Sequence, residues 1–176
     1  FTEKWLQAPE IKHYLAFERE YLLAHKLEPY RMEWCLFSEA NLSLVGTPDA
    51  LYALSEQNEP DVLLLSLGDW KCVTMKMGNN FERGFGCCDT LDNCNFNHYD
   101  LATQAYAYML ENYYHNMEYK GQTYKTCRVV DRWLAIFHKD QPSYQFLTFS
   151  THHSTGPMPS MLDHRKKQLL LAKSFK

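Results

Sequence analysis

The chain lacks several features that would assign it quickly to a class. It has no apolar run of about 18 residues, so we expect no membrane span, and no signal peptide is recognisable. It also lacks an excess of positive charge, because 18 basic and 21 acidic residues give a formal net charge of −3. Nucleic-acid-binding domains are usually basic. A role on nucleic acid would therefore need locally concentrated positive charge, as in residues 165–167.

The cysteines lack the spacing of a standard zinc site. There are six: Cys35, Cys72, Cys87, Cys88, Cys94 and Cys127. We expect free thiols in a reducing intracellular compartment, either the nucleus or the cytoplasm. Metal binding by the close group Cys87, Cys88 and Cys94 stays open as an alternative.

Length allows one domain with a sizeable core, since the chain has 176 residues. The first residue is Phe1 rather than methionine. We therefore expect the chain to be part of a longer polypeptide that carries further domains.

Apolar periodicity predicts alternating helices and strands. The predicted helices cover residues 2–26, with a kink at Pro9, then 98–117 and 161–176. The predicted strands cover residues 30–38, 42–54, 62–75, 125–138 and 143–150.

The order of these elements predicts an α/β (α+β) fold with a central mixed sheet of about five strands flanked by helices. The first three strands would form an antiparallel meander, with a polar turn at residues 55–61. Residues 76–97 look irregular, and a loop of that length is often functional. We expect residues 1–150 to form the domain, followed over residues 151–176 by a linker and a basic helix.

The second and third predicted strands carry acidic residues near their ends. Asp69 and Lys71 are two residues apart, so they share one face of a strand, while Trp70 faces the core. A hairpin would bring Asp49 to the same place. Two carboxylates suit Mg²⁺, and a nearby lysine can orient water or stabilise charge on a phosphate. The alternative for Asp-x-Lys is a surface salt bridge.

These residues resemble the PD-(D/E)XK nuclease superfamily. The resemblance rests on Gly46-Thr47-Pro48-Asp49 followed by Gly68-Asp69-Trp70-Lys71, and it is nearest to the RecB-like, Cas4-like and lambda-exonuclease-like branches. Residues 29–34 and 95–99 are similar to a subset from large DNA viruses and some protists. The resemblance runs from about residue 33 to residue 144.

The resemblance implies a restriction-endonuclease-like core and hydrolysis of phosphodiester bonds with Mg²⁺ or Mn²⁺. It favours exonuclease-like processing of DNA ends in replication, repair or recombination, and leaves endonuclease action and RNA open. The cysteines do not match the Cas4-like arrangement, so no iron–sulfur cluster is expected. A nuclease-fold binding or scaffold domain with weak or no activity is the alternative function.

The resemblance also implies residue roles. Asp49 and Asp69 would be metal ligands and Lys71 the catalytic lysine. Glu33 is favoured as the third acidic ligand because residues 30–34 are similar to the viral-type motif, with Glu39 as a substitute. The spacing of the two glutamates puts both on one face of an ideal strand, so it does not decide between them. Either could instead be a half-buried acid paired with a basic residue.

Gln104 and Tyr108 supply the Gln-x-x-x-Tyr pattern of RecB-like nucleases on one helical face. The register of the viral-type subset would instead place Ala102 and Tyr106 there, and Ala102 lies about 200° around the helix from Gln104. Only one of the two registers can therefore face the site. The predicted nucleic-acid-binding side chains are His98, Tyr99, Tyr108, Arg83 and Arg31, with packing and capping as alternatives for His98 and Tyr99.

Overall fold

A mixed five-stranded sheet forms the centre of the computed structural model, which describes residues 3–39, 41–72, 82–149 and 156–174. Its strands, in spatial order, are β1 (Leu27–Met32), β4 (Ala50–Leu54), β5 (Val62–Lys71), β8 (Thr126–Ile136) and β9 (Gln145–Phe149). Strands β5 and β8 pair in parallel, and the other neighbours pair antiparallel. The α/β (α+β) class and the five-stranded mixed sheet are confirmed.

Helices cover both faces of this sheet. The helices are α1 (Glu3–Leu6), α2 (Pro9–Phe17), α3 (Asn95–Tyr113) and α4 (Met158–Ser174). Helix α3 lies between β5 and β8 in the chain. It packs over an apolar cluster that includes Leu65 and Leu67. On the opposite face, Phe17 of α2 packs over Trp133. Strand β5 is therefore buried from both sides, which explains its almost unbroken apolar sequence.

Two small hairpins lie outside the main sheet. They consist of β2 (Leu36–Phe37) with β3 (Val45–Gly46), and of β6 (Met117–Tyr119) with β7 (Gln122–Tyr124). The second hairpin turns at Lys120 and Gly121, which both have positive φ angles of 49° and 78°. Two such residues are typical of a tight hairpin turn. The sequence prediction missed this hairpin and wrongly extended the preceding helix to residue 117.

Several predicted boundaries are wrong because the backbone turns sharply inside them. The first helix ends in a π-helical turn at Glu18–Leu22, and residues 23–26 form a turn. The predicted strand 30–38 is interrupted at Glu33, whose φ of 50° is incompatible with a strand. The predicted strand 42–54 is interrupted at residues 47–49, which separate β3 from β4.

The remaining predictions agree with the described residues to different extents. Strands β8 and β9 match their predictions within two residues at each end. Helix α4 begins three residues earlier than expected, at Met158. Residues 73–81, which include the end of the predicted third strand and part of the predicted loop, lie outside the described residues. So do residues 150–155, which include the end of the predicted fifth strand and part of the predicted linker. Within the described ranges, no helix combines the length and apolarity needed to cross a membrane.

Gly68 of β5 packs directly against the Trp133 ring, which leaves no space for a side chain at this position. A Cβ atom there would lie 2.0 Å from the indole ring of Trp133. We expect Gly68→Ala to lower the free energy of unfolding by about 2–3 kcal/mol, because the rigid buried ring cannot move aside. Urea denaturation measures this loss. Thr148→Ala, at an exposed position of β9, is the control, and an equal effect of both substitutions would contradict the prediction.

Candidate active site

Asp49, Asp69 and Lys71 meet at one edge of the sheet. Antiparallel pairing of Ala50 with Gly68 places the start of β4 beside the end of β5. The Nζ atom of Lys71 lies 2.8 Å from Oδ2 of Asp69 and 3.3 Å from Oδ2 of Asp49. The structure thus brings together the three side chains that the hairpin pattern predicted to converge.

Backbone geometry fixes the orientation of this cluster, which we call the acidic cluster (Asp49, Asp69 and Lys71). The backbone N–H of Trp70 donates a hydrogen bond of 2.9 Å to Oδ2 of Asp49. The Trp70 side chain points to the other face, where its ring contacts Tyr14. The side chains of the cluster keep 19%, 11% and 26% of their surface exposed, in chain order, so a ligand can reach them from solvent.

The two carboxyl groups lie so close that the charge of each affects the pKa of the other. Burial and a hydrogen bond with Asp49 raise the pKa of Asp69 to about 7, although Lys71 opposes the shift. Burial also disfavours ionisation of Asp49, but hydrogen bonds from Asp69 and from the Trp70 N–H, with the charge of Lys71, lower its pKa. Burial disfavours the Lys71 ammonium, but both carboxylates outweigh this effect and raise its pKa.

Tyr106 of α3 also reaches this edge of the sheet. Its hydroxyl accepts a hydrogen bond from the backbone N–H of Thr47, and its ring lies against Gly46. A Cβ atom on Gly46 would lie 2.2 Å from the ring, so only glycine leaves space for Tyr106. Burial, followed by the negative charges of Asp69 and Asp49, raises the pKa of Tyr106. The phenol therefore stays protonated and can donate a hydrogen bond.

Tyr99, predicted to contact nucleic acid, lies next to the acidic cluster. The Nζ atom of Lys71 is 5.2 Å from the centre of its ring, within cation–π distance. Tyr99 precedes Tyr106 by seven residues, two turns of α3, so both project from the same face. Of the two registers left open by the sequence, the one with Tyr106 therefore faces the site.

Gln104 does not join the acidic cluster. Its side chain is buried, and its amide nitrogen donates a 3.0 Å hydrogen bond to Asp100 on the same helix. Tyr108, the other member of the predicted pair, has its ring near Tyr113 at the far end of α3. The helix thus turns Tyr106 towards the site, and the predicted catalytic role of Gln104 gains no support from its position. Ala102 lines a groove between α3 and α4.

Neither candidate for the third acidic ligand joins the two aspartates. Glu33 is adjacent through its backbone, since its N–H donates a 3.1 Å hydrogen bond to the carbonyl of Asp49, but its side chain is exposed. Glu39 is also exposed, near Tyr113. The expectation that both lie on one strand face is wrong, because Glu33 occupies a left-handed turn. Within the part of the chain that the structure describes, no three acidic, histidine or cysteine side chains form a metal site.

The other predicted nucleic-acid contacts are engaged locally. Arg83 forms a 3.3 Å ion pair with Asp92, and Nε2 of His98 lies 2.8 Å from Oδ1 of Asn93. Arg83 and His98 both line a cavity of about 330 Å³ beside α3. Arg31 lies over the ring of its neighbour Tyr30, at 4.6 Å. All three basic side chains are exposed, so their contacts with nucleic acid stay predictions.

The chemistry of the acidic cluster fits a hard divalent cation. Asp49 and Asp69 together carry more potential negative charge than Lys71 neutralises. Mg²⁺ commonly binds through one or two carboxylates and fills its remaining positions with water and phosphate oxygens. Two adjacent, partly exposed carboxylates satisfy that requirement without a third protein ligand.

We expect Asp69 to titrate near pH 7 in metal-free protein, far above an ordinary aspartate. Replacement of Asp49 by asparagine should lower the midpoint, because it removes a neighbouring negative charge while Lys71 remains. The chemical shift of the Asp69 carboxyl carbon, followed by ¹³C NMR against pH, measures both midpoints. A wild-type midpoint near 4 would contradict the raised pKa of Asp69.

We also expect Gly46 and Tyr106 to be energetically coupled. Gly46→Ala should destabilise the wild type because the new methyl group meets the Tyr106 ring. In a Tyr106→Ala background the same substitution should cost about 1–3 kcal/mol less. Urea denaturation of the four proteins gives the coupling, and additive effects would show that the ring does not pack against Gly46.

Comparison with known proteins does not assign the chain to a family. No protein-family model matches the chain, and no curated protein is significantly similar to it. The functional conclusion therefore depends on the positions and chemistry of Asp49, Asp69, Lys71, Tyr99 and Tyr106.

Proposed function

We propose that this chain is a Mg²⁺- or Mn²⁺-dependent nuclease of the PD-(D/E)XK type, which hydrolyses phosphodiester bonds. The observation that carries the proposal is the convergence of Asp49, Asp69 and Lys71 within hydrogen-bonding distance at an accessible sheet edge. DNA is the favoured substrate, with exonuclease-like processing of ends in replication, repair or recombination.

The topology supports a restriction-endonuclease-like core. A helix, three antiparallel strands, a helix and a parallel strand follow one another, and the acidic cluster lies on the two strands at the middle of this order. That is the arrangement the family resemblance implies. The fold alone does not carry the function, because one fold hosts many activities.

Each side chain at the site has a chemical role in this proposal. Asp49 and Asp69 would hold the cation, which supplies charge stabilisation at the phosphate and lowers the pKa of the attacking water. With the negative charge of Asp49 and Asp69 directed to the cation, Lys71 would orient that water or stabilise the developing charge on phosphate. The protonated Tyr106 hydroxyl can donate a hydrogen bond to a phosphate oxygen. The Tyr99 ring limits the positions that Lys71 can adopt.

Nucleic acid is the partner in this proposal, and the compartment is a reducing one. The chain would contact the nucleic-acid backbone through phosphates and stacking rather than through base-specific contacts in a groove. All six cysteines are free thiols, which supports action in a reducing compartment, the nucleus or the cytoplasm.

The second candidate is a nuclease-fold binding or scaffold domain with weak or no activity. Two observations favour it. Ala102 stands where the viral-type register expects glutamine, and no third acidic side chain joins Asp49 and Asp69 among the described residues. Such a domain would bind nucleic acid or protein without turnover.

A cleavage assay separates these candidates. We expect metal-dependent cutting of end-labelled DNA. The cleavage rate should fall at least about 100-fold in Asp69→Asn, which removes a charge that would hold the cation, and in Lys71→Met, which removes a charge that would act at the phosphate. Single- and double-stranded DNA, circles and RNA define the substrate class. Sparing of circles would identify an exonuclease.

The matched controls are Asp61→Asn and Lys125→Met. These residues form an exposed ion pair of 3.0 Å at the opposite end of β5, about 30 Å from Lys71, and should change the rate less than twofold. A rise in melting temperature with Mn²⁺, lost in Asp69→Asn, reports metal binding independently of turnover. If Mn²⁺ gives neither cleavage nor a thermal shift, the nuclease proposal fails for this domain.

A further inference from the structure

A second cavity lies at the same edge of the sheet as the acidic cluster, on the opposite face. Its volume is about 320 Å³, and six residues line it: Glu10, Ile11, Tyr14, Trp70, Cys72 and Phe137. This volume is at the lower end of the range for small-ligand pockets. The cavity therefore suits a compact ligand of one or two rings rather than an extended peptide.

Aromatic rings form the walls of this cavity. The Tyr14 ring lies 5.9 Å from the rings of both Trp70 and Phe137, at 84° to each. The hydroxyl groups of Tyr14 and Tyr52 are hydrogen bonded to each other, so the polar end of Tyr14 is satisfied within the protein. Ring carbons are left to face the cavity. Such surfaces favour a planar, π-bonded ligand that can stack on them.

One charged group, Glu10, stands among the described residues that line the cavity. Since no basic side chain lines it there, the cavity does not favour a phosphate group. A carboxylate accepts hydrogen bonds, and the exocyclic amino group of cytosine is a donor that glutamate commonly recognises. Uracil and thymine present a carbonyl oxygen at the same position, which would face the carboxylate unfavourably.

The cavity and the acidic cluster lie on opposite faces of the same end of β5. Trp70 stands between Asp69 and Lys71 in the strand, and the backbone N–H of Phe137 donates a 2.8 Å hydrogen bond to the carbonyl of Lys71. Side chains of successive strand residues point to opposite faces. A nucleic-acid strand whose phosphate is held at Asp69 and Lys71 would have to pass around the end of β5 to bring a neighbouring base to Trp70.

We propose that this cavity is a nucleobase pocket that takes an amino-bearing base, with Glu10 as the residue that selects it. The inference depends on the proposed nuclease function for the position of the strand. It adds a base preference to a site that would otherwise read only the phosphate backbone.

The test uses nucleosides, which lack phosphate and so cannot bind through a metal at the acidic cluster. Cytidine and uridine are titrated into the full chain without divalent metal, and the indole N–H signal of Trp70 is followed by NMR, assigned with Trp70→Phe. We expect cytidine to bind about tenfold more tightly than uridine, the effect of one charged hydrogen bond. In Glu10→Gln, the ratio should fall to about one.

Glu118→Gln is the matched control, because Glu118 is an exposed glutamate on β6 and should leave the ratio unchanged. Tetramethylammonium serves as a probe for the competing ligand of an aromatic pocket, a quaternary ammonium ion. Tighter binding of that cation than of cytidine would overturn the base assignment, as would an unmoved Trp70 signal or a ratio indifferent to Glu10→Gln. Metal-dependent cleavage together with an unmoved Trp70 signal would reject only the pocket, whereas selective cytidine binding without cleavage would support the pocket and reject the nuclease.

Discussion

The hydrogen bond from the Trp70 backbone to the Asp49 carboxylate joins two strand ends that lie about twenty residues apart in the chain. Asp49 stands just outside β4, so this bond and the contact with Lys71 hold its carboxylate beside Asp69. Two carboxyl groups are thus held in contact at low exposure, an arrangement that is electrostatically unfavourable. The ammonium of Lys71 offsets part of that cost. In the proposed nuclease, a divalent cation would offset the remainder.

Helix α3 completes the site because a buried arginine fixes its position. The Nη1 atom of Arg132 on β8 donates to the Asp100 carboxylate at 2.7 Å and to Thr103 at 2.8 Å. These two residues lie one turn apart on α3, so both the rotation and the height of the helix are set relative to the sheet. Removing one partner of a buried ion pair of this kind typically costs about 3–5 kcal/mol. The same anchoring directs Tyr99 and Tyr106 towards the acidic cluster and Gln104 away from it.

The end of β5 presents different chemistry on its two faces. Asp69 and Lys71 form a charged face suited to cation and phosphate, while Trp70 forms part of an apolar, aromatic face suited to a planar ring. Glycine at position 68 allows the Trp133 ring to approach the strand closely, and glycine at position 46 does the same for Tyr106. Both glycines therefore serve close packing beside the site. This separation of functions follows from the alternation of side chains along a strand.

The sequence by itself determined the central strands and the convergence of Asp49, Asp69 and Lys71, because both depend on local patterns: a long apolar run, a two-residue spacing and a short turn. It also indicated that two helical registers competed for the site. Only the tertiary structure decided between them, since a shift of one residue rotates a helix by about 100° and the rotation is set by the contacts of Arg132 with Asp100 and Thr103. The left-handed turn at Glu33 likewise has no local signature, as glutamate rarely adopts that conformation. Glu33 adopts it beside the carbonyl of Asp49, a contact between distant segments that sequence periodicity does not encode.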